Sequence, residues 1–277
     1  MTPHPKFSIV TPSMNQAQFL EGTIRSVLGQ QYPNVEHIII DGGSTDATLD
    51  ILKKYPHLRW VSEPDRGQSH ALNKGFKMAT GEIIGWLNAD DTYCPNTFTL
   101  VASAFERPGV MVVYGDGNEI DEQGRIQRVR KSRGISSDSF IKYWKWKYEY
   151  TQPALFFRKR VFDVVGFLDE RLYYVMDHEF FLRLSLQYEL QYIPAVLASF
   201  RLHGTSKTGQ VYKKILPDSV WELHRVSRRY WGSFTRLKYY EYLFSFCGGI
   251  LLSLVKNILF VRGSKSRGAL SRLLDNT

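Results

Sequence analysis

The chain has 277 residues, 43% of them hydrophobic and 23% charged, which is enough for one large core and excludes a disordered chain. Two cysteines, Cys94 and Cys247, in unrelated contexts exclude a disulfide framework or a cysteine-rich zinc site and suit a reducing compartment. The net charge of +9 is confined to the C-terminal quarter: residues 207–277 hold 13 Lys/Arg against 4 Asp/Glu, and the first 206 residues hold 23 of each. A neutral front of this kind argues against a nucleic-acid-binding domain, and a basic tail seeks phosphates, for which anionic lipid is a source.

Met1–Phe7 carries no apolar signal-peptide core, so the expected location of the main domain is the cytoplasm. The run at 7–11 (FSIVT) predicts a buried strand and 17–30 a helix. Residues 35–41 (VEHIIID) predict a strand, 46–55 a helix, 58–61 a short strand and 68–80 a helix. Residues 82–87 (EIIGWL) predict a strand, 96–105 a helix and 110–114 (VMVVY) a strand. Strands alternating with helices imply βαβ units and a mostly parallel sheet covered on both faces. In such sheets ligands bind beyond the carboxyl ends of the strands. The residues there are Pro12, Ser13 and Asn15; Asp41, Gly42 and Gly43; Glu63, Asp65 and Gly67; Asn88, Asp90 and Asp91; Gly115 and Asp116. Four of these five strand ends carry an acid. Clustered carboxylates repel unless a cation or a donor-rich ligand lies among them.

The second half is less regular. Residues 125–133 form a basic loop or edge strand, and 140–150 (FIKYWKWKYEY) are rich in aromatics and lysine. Strands are expected at 154–158, 191–193 and 198–202, and an amphipathic helix at 177–188. Asp90-Asp91 after a strand suits a hard divalent cation, although an Asp before a helix is often only a cap. Asp41, before Gly42-Gly43, and Asp65, in Asp65-Arg66-Gly67, suit either a turn or a carboxylate that accepts hydrogen bonds from a base or ribose. Asp177 opens its helix and is either a cap or a general base, and His203 alone is read by default as structural.

The joint pattern is more specific. The stretch TPSMNQAQFLEGTIRSVLGQQYPNVEHIIIDGGSTDATLDIL, then EPDRGQSHALNKGFKMATGEIIGWLNADD, QPALFFRKRVFDVVGFLDERLYYVMDHEFFLRL and SFRLHGTSKT, closely resembles the inverting glycosyltransferases of family 2 over residues 6–208, in order. The resemblance implies the GT-A fold: a Rossmann-like α/β unit with a mostly parallel central sheet. It implies a nucleotide-sugar half at about 1–120 and an acceptor half at about 121–208, with residues 209–277 outside it as a helical, basic extension. It implies a nucleotide-sugar donor, UDP-linked most often in such families, with dTDP and GDP left open. Pro12, Asn15, Asp41, Asp65 and Asp90 are then nucleotide-binding. Asp90, Asp91 and His203 hold Mn²⁺ or Mg²⁺, Asp177 is the catalytic base, and Gln152 and Glu179 lie on the acceptor side. Three positions depart from the family pattern: Asn88 and Glu179 stand where Asp is common, and Met176 where Glu is frequent.

In the extension, 212–242 is basic and aromatic, and 242–255 lacks charge over roughly 21 Å of helix, short of a bilayer's ~30 Å core. This predicts a segment lying in the headgroup plane of the inner face of the cell membrane, where relatives that build surface polysaccharides use glycan or lipid-linked acceptors. A helical bundle packed on the catalytic domain or on a second subunit is the alternative, and homo-oligomerisation stays open. The competing functions are a nucleotidyltransferase, disfavoured because TPSMNQ has neither glycine nor a basic residue, and a non-catalytic membrane-bound partner, disfavoured by the intact acids.

Overall fold

The computed structural model of the chain describes residues 4–132, 134–143, 150–207 and 218–249, and Leu251. Nine strands form one sheet: β1 (Phe7–Ser13), β2 (Val35–Asp41), β3 (Arg59–Ser62), β4 (Ile83–Trp86), β5 (Thr92–Tyr93), β6 (Val112–Ile120), β7 (Ile126–Arg130), β8 (Leu155–Arg158) and β9 (Leu190–Arg201). Their spatial order is β3-β2-β1-β4-β8-β6-β9-β5, with β7 paired to β6. Strands β1 to β4 pair in parallel, as the alternating pattern predicts, and β6 runs parallel to β9. Short β8 lies antiparallel between β4 and β6 and joins the two halves.

The helices are α1 (Leu20–Leu28), α2 (Thr48–Lys53), α3 (Gln68–Met78), α4 (Thr97–Phe105), α5 (Ser137–Ile141), α6 (Phe162–Val165), α7 (Met176–Gln187) and α8 (Asp218–Arg228). Residues 237–249 are also helical. Every residue of β1 is buried, and β2 is buried from Glu36 onward. Helices therefore cover both faces, which is why these strands read as continuous apolar runs instead of alternating ones.

Two elements differ from the sequence expectation. The strands expected at 191–193 and 198–202 are one strand, β9. Pro194 is accommodated where the β6–β9 register shifts, Gly115 pairing with Ile193 and Asp116 with Val196; a bulge is where a strand tolerates proline. The strand expected at 110–114 runs instead from Val112 to Ile120, through a Gly-Asp-Gly that reads as a turn. Gly117 is there for space, since a Cβ on it would meet the Thr151 side chain at 2.3 Å. Asp116 consequently lies inside a strand. Its carboxylate accepts from Lys131 Nζ, Ser132 N and the Tyr192 hydroxyl, so it is structural.

The basic segment at 125–133 contains edge strand β7, whose Arg128 and Arg130 pair with Glu119. Of the aromatic stretch 140–150, residues 144–149 lie outside the described residues, as do 208–217, 250 and 252–277 of the expected extension. The described part of the extension packs on the catalytic fold. Val226, Trp231, Tyr242 and Phe246 join the same apolar cluster as Phe180 and Phe181 of α7. At about 2 kcal/mol for each large apolar side chain removed from water, this is firm docking.

Candidate active site

The loops at the carboxyl ends of β1, β2 and β3 meet. Asp41, fully buried at the end of β2, accepts from Gly43 N at 3.1 Å, Ser44 N at 2.9 Å, the Ser44 hydroxyl and the Ser62 hydroxyl. These bonds shape the loop after β2 and tie it to β3. Asn15, just after β1 and Pro12, holds the same loop from the other side. Its backbone N–H donates to Ser44 Oγ at 2.7 Å, and its Oδ1 accepts from Thr45 N at 2.8 Å. Asn15 has φ 52°, in the left-handed region that Asn tolerates. Asp65 closes the rim: Oδ1 accepts from Gly67 N at 2.7 Å, and a Cβ at Gly42 would lie 2.7 Å from Oδ2. The missing side chain at 42 is what lets this carboxylate lie across the end of β2.

The loop after β4 is organised around Asn88. Its Oδ1 accepts from Trp86 Nε1 and Gln68 Nε2, both at 2.9 Å. Its Nδ2 donates to Gln152 Oε1 at 2.9 Å and to Asp91 Oδ2 at 3.1 Å. An ionised carboxylate has no hydrogen to donate, so this junction requires an amide, which explains the departure from the family's Asp. Asp91 is fully buried, and its Oδ1 accepts from Arg201 N at 2.9 Å. Burial, with neighbouring Asp90 next, holds its pKa well above the usual carboxylate range. Asp90 points elsewhere: its Oδ2 lies 2.9 Å from His203 Nε2. His203 Nδ1 is 2.9 Å from Thr205 Oγ1, and its ring packs on Phe19 with centroids 4.7 Å apart.

On the other side, α7 presents Asp177 in its first turn, half-buried. Oδ1 accepts from His178 N at 2.8 Å, and Oδ2 from the Tyr150 hydroxyl at 3.3 Å. Burial raises its pKa, while those hydrogen bonds and the charge of Lys207 pull it down. Burial in turn lowers the pKa of Lys207, whose Nζ donates to Tyr173 O at 3.0 Å.

The model for glycosyl transferase family 2 matches residues 8–166. This chain belongs to that family. An uncharacterized glycosyltransferase of Mycobacterium tuberculosis is 31% identical over 209 residues, spanning 74% of this chain and 78% of the relative. A PGL/p-HBAD biosynthesis glycosyltransferase of Mycobacterium bovis is 30% identical over 221 residues, spanning 76% and 83%. Among solved structures, the 1–349 fragment of S. aureus TarS superposes with a TM-score of 0.64 at 18% identity, over 80% of this chain and 64% of that one. This chain thus spans just under two thirds of that fragment. The mannosyltransferase PcManGT from Pyrobaculum calidifontis, in complex with GDP-Man and Mn²⁺, superposes with a TM-score of 0.61 at 18% identity, over 98% of this chain and 81% of that one. At these identities the structures establish the shared fold, which is GT-A.

Within this glycosyltransferase, the structure brings Pro12, Asn15, Asp41 and Asp65 to one rim, Asp90 to His203, and Asp177 to Tyr150. Three placements correct the sequence reading. Asp91 does not face the cleft with Asp90, because its carboxylate is enclosed and braces β9 through Arg201 N. Gln152 is buried beneath the loop after β4, spending its amide on Trp86 O at 2.8 Å and on Asn88, so it is a brace and not an acceptor contact. Glu179 sits two residues from Asp177, about 200° round the helix. There it is bound by Arg183, which also donates to Phe167 O at 2.8 Å.

Sequence reasoning missed Gln68, Tyr150, Arg201 and Lys207. Arg201 has a local signal, standing two residues before His203 on β9; its Nε donates to Asp90 O at 2.8 Å and its guanidinium lies 5.0 Å from the Phe19 ring. The others are far in sequence from what they touch. Among the described residues no three His, Cys, Asp or Glu side chains gather as a metal cluster. Asp90 and His203 could supply two ligands to a Mg²⁺ or Mn²⁺ that takes the rest from phosphate oxygens and water. A separate cavity of about 730 Å³ opens at the other end of β4 beside Glu82 and Phe162. Its Arg158 pairs with Glu82 and its Lys159 donates to Ala79 O.

Proposed function

We propose that this family 2 enzyme is an inverting transferase that moves a sugar from a nucleoside diphosphate donor to a hydroxyl of a glycan or lipid-linked acceptor. The observation that carries this reading is the convergence of Asp90 Oδ2 and His203 Nε2 at 2.9 Å, at the carboxyl end of β4. TarS has been solved with UDP and with UDP-GlcNAc, and PcManGT with GDP-Man and Mn²⁺; both support a nucleotide-sugar donor. UDP is the first choice.

The residues divide the work. Asn15 and Asp65 would line the nucleoside end, with Pro12 and Asp41 buried at the ends of β1 and β2 to shape it, and Asp90 and His203 would hold the divalent cation beside the diphosphate. A bound Mn²⁺ or Mg²⁺ offsets the charge that develops on the leaving diphosphate. Asp177 takes the proton of the acceptor hydroxyl. The acceptor oxygen bonds to the anomeric carbon as that carbon's bond to the diphosphate breaks on the opposite face. One displacement inverts the centre, with one carboxylate activating the nucleophile as in inverting glycosidases.

The extension supports an anionic membrane surface as the place of work, on the inner face of the cell membrane. Phe234, Leu237, Tyr240, Phe244 and Leu251 are exposed, and from Leu237 onward they recur at helical spacing along one face. Arg225, Arg228, Arg229, Arg236 and Lys238 flank them. An apolar face with a cationic border is the pattern of a helix lying in the headgroup plane. No described helix is long and apolar enough to cross a membrane.

Calorimetry with UDP, GDP, dTDP and their sugar conjugates, with Mn²⁺ and with chelator, tests the donor reading. We expect one nucleotide to bind with Mn²⁺, and chelator, Asp90→Ala or His203→Ala to weaken it at least ~10-fold, the scale of losing even an outer partner of a metal site. Folded protein that binds none of them, or binds one equally with chelator, overturns it.

A further inference from the structure

One side chain of the C-terminal extension bonds the backbone just before the proposed base. Glu222 of α8 turns its carboxylate onto the backbone that leads into α7. Tyr173 N donates to Oε1 at 3.0 Å, and Tyr174 N and Val175 N donate to Oε2 at 2.7 and 3.0 Å. Three successive N–H groups converging on one carboxylate form an anion-binding nest, here filled from within the chain. The segment has no cap of its own, because Val175 stands at the N-cap of α7 and offers no side-chain oxygen.

Lys207 also holds this segment, donating to Tyr173 O and lying 4.1 Å from the Tyr173 ring centroid. Asp177 follows Val175 by two residues. The path from Glu222 to the base is therefore a few backbone bonds, with Tyr173 held by both Glu222 and Lys207. Glu222 is itself fixed, because α8 buries Ser219 and Val226 and is followed by buried Trp231.

We infer that Glu222 is a positioning residue for Asp177, which makes the extension part of the catalytic machinery and not only an anchor. This rests on Asp177 being the base. A carboxylate that sets the helix start sets the direction from which Asp177 meets the acceptor oxygen. The hydrogen bonds described for Asn15, Asp41 and Asn88 all run to partners on the strand ends and their loops, α3 and Gln152, so the nucleotide end is expected to stay as it is.

The test compares full-length wild type with Glu222→Gln, Glu222→Ala and Asp177→Asn. It measures donor affinity by calorimetry with Mn²⁺, the rate of nucleoside diphosphate release from UDP-GlcNAc and GDP-mannose with water as acceptor, and backbone amide exchange. For Glu222→Ala we expect donor affinity within twofold of wild type and kcat down by about 100-fold, the cost of a misplacement on the order of 1 Å. Glu222→Gln keeps one acceptor oxygen in place and falls between. Exchange quickens at residues 173–177 and stays as in wild type at residues 12–15, 41–45 and 88–91. Wild-type exchange at 173–177 overturns the proposal whatever the rates are. So does a kcat loss matched by an equal loss of donor binding, which marks a role in folding alone. Asp177→Asn turning over at the wild-type rate sinks the base reading by itself. An inactive Asp177→Asn beside a fully active Glu222→Ala sinks only the role of Glu222.

Discussion

Asp177 illustrates how a single carboxyl is tuned by opposing neighbours. Burial favours its neutral form, whereas the Tyr150 hydroxyl and the Lys207 charge favour the ionised form that accepts a proton. Removing either supporter therefore raises its pKa further. Tyr150→Phe and Lys207→Met should each move the acid limb of the kcat profile to higher pH, and for Tyr150→Phe rates should approach wild type on the alkaline side, where Asp177 is ionised in both. A limb that stays in place, or moves down, contradicts the assignment. At this scale the sequence was legible wherever residues lie at strand ends. Asp41, Asp65 and Asp90 follow β2, β3 and β4, where the βαβ pattern places them together, whereas Asp177 in the first turn of α7 and His203 after β9 stood out only through the family resemblance. The partners that decide their behaviour were not, because Gln68 meets Asn88 and Glu222 meets Val175 across 20 and 47 positions, with no local pattern to announce it. The Asp90-Asp91 pair shows the same limit: adjacent acids look equivalent in a string, and backbone geometry alone sends one to His203 and the other into the core.

The elements that periodicity predicts best are the ones buried evenly. β1, β2 and α3 come out close to their expected ranges, since unbroken apolar runs and a 3.6-residue spacing leave little choice. β6 and β9 do not, because Gly115-Asp116-Gly117 and Pro194 imitate turns while serving a bulged parallel pair. The helical segment at 237–249 is apolar on two sides for two different reasons. Tyr242 and Phe246 pack inward, and on the other face Leu237 is 90% and Phe244 74% exposed. Joint Leu237→Ser and Phe244→Ser substitution should lower binding to phosphatidylglycerol vesicles at least ~10-fold, given the ~1.5–3 kcal/mol that each such side chain gains on burial. Binding should also weaken with salt and be much poorer on phosphatidylcholine vesicles. Equal co-sedimentation of wild type and variant, or no preference for the anionic lipid, removes the membrane reading.

For the molecule as a whole, two buried histidines couple folding to acidity. His37 bonds Thr11 Oγ1 at 2.9 Å, and its Nδ1 has no partner; burial lowers its pKa to about 3. His178 lies 2.9 Å from Phe140 O, and burial lowers it to about 4. The unfolded chain binds a proton at each near pH ~6.5, and the folded chain does not. Their contribution is thus complete above that pH and is lost as pH falls towards 4, at about 1.4 kcal/mol per pH unit for each histidine. Urea midpoints should drop steadily between pH 6 and 4.5, a window above that of buried Glu36, whose pKa lies at about 2. His178→Asn should flatten the slope, by at most the contribution of one histidine, about 1.4 kcal/mol per pH unit; an unchanged slope would exclude His178 as a source.

The joining strand β8 has a consequence for how the chain is made. The parallel half of the sheet is complete once Trp86 has been synthesised, yet the edge of β4 finds its partner only when residues 155–158 arrive. For some seventy residues of synthesis a wholly apolar strand edge waits open, the kind of template that recruits other chains. A fragment ending before Leu155 keeps that edge for good, so the first half of this molecule, though it holds the loops after β1, β2, β3 and β4, is the half least fit to be produced alone.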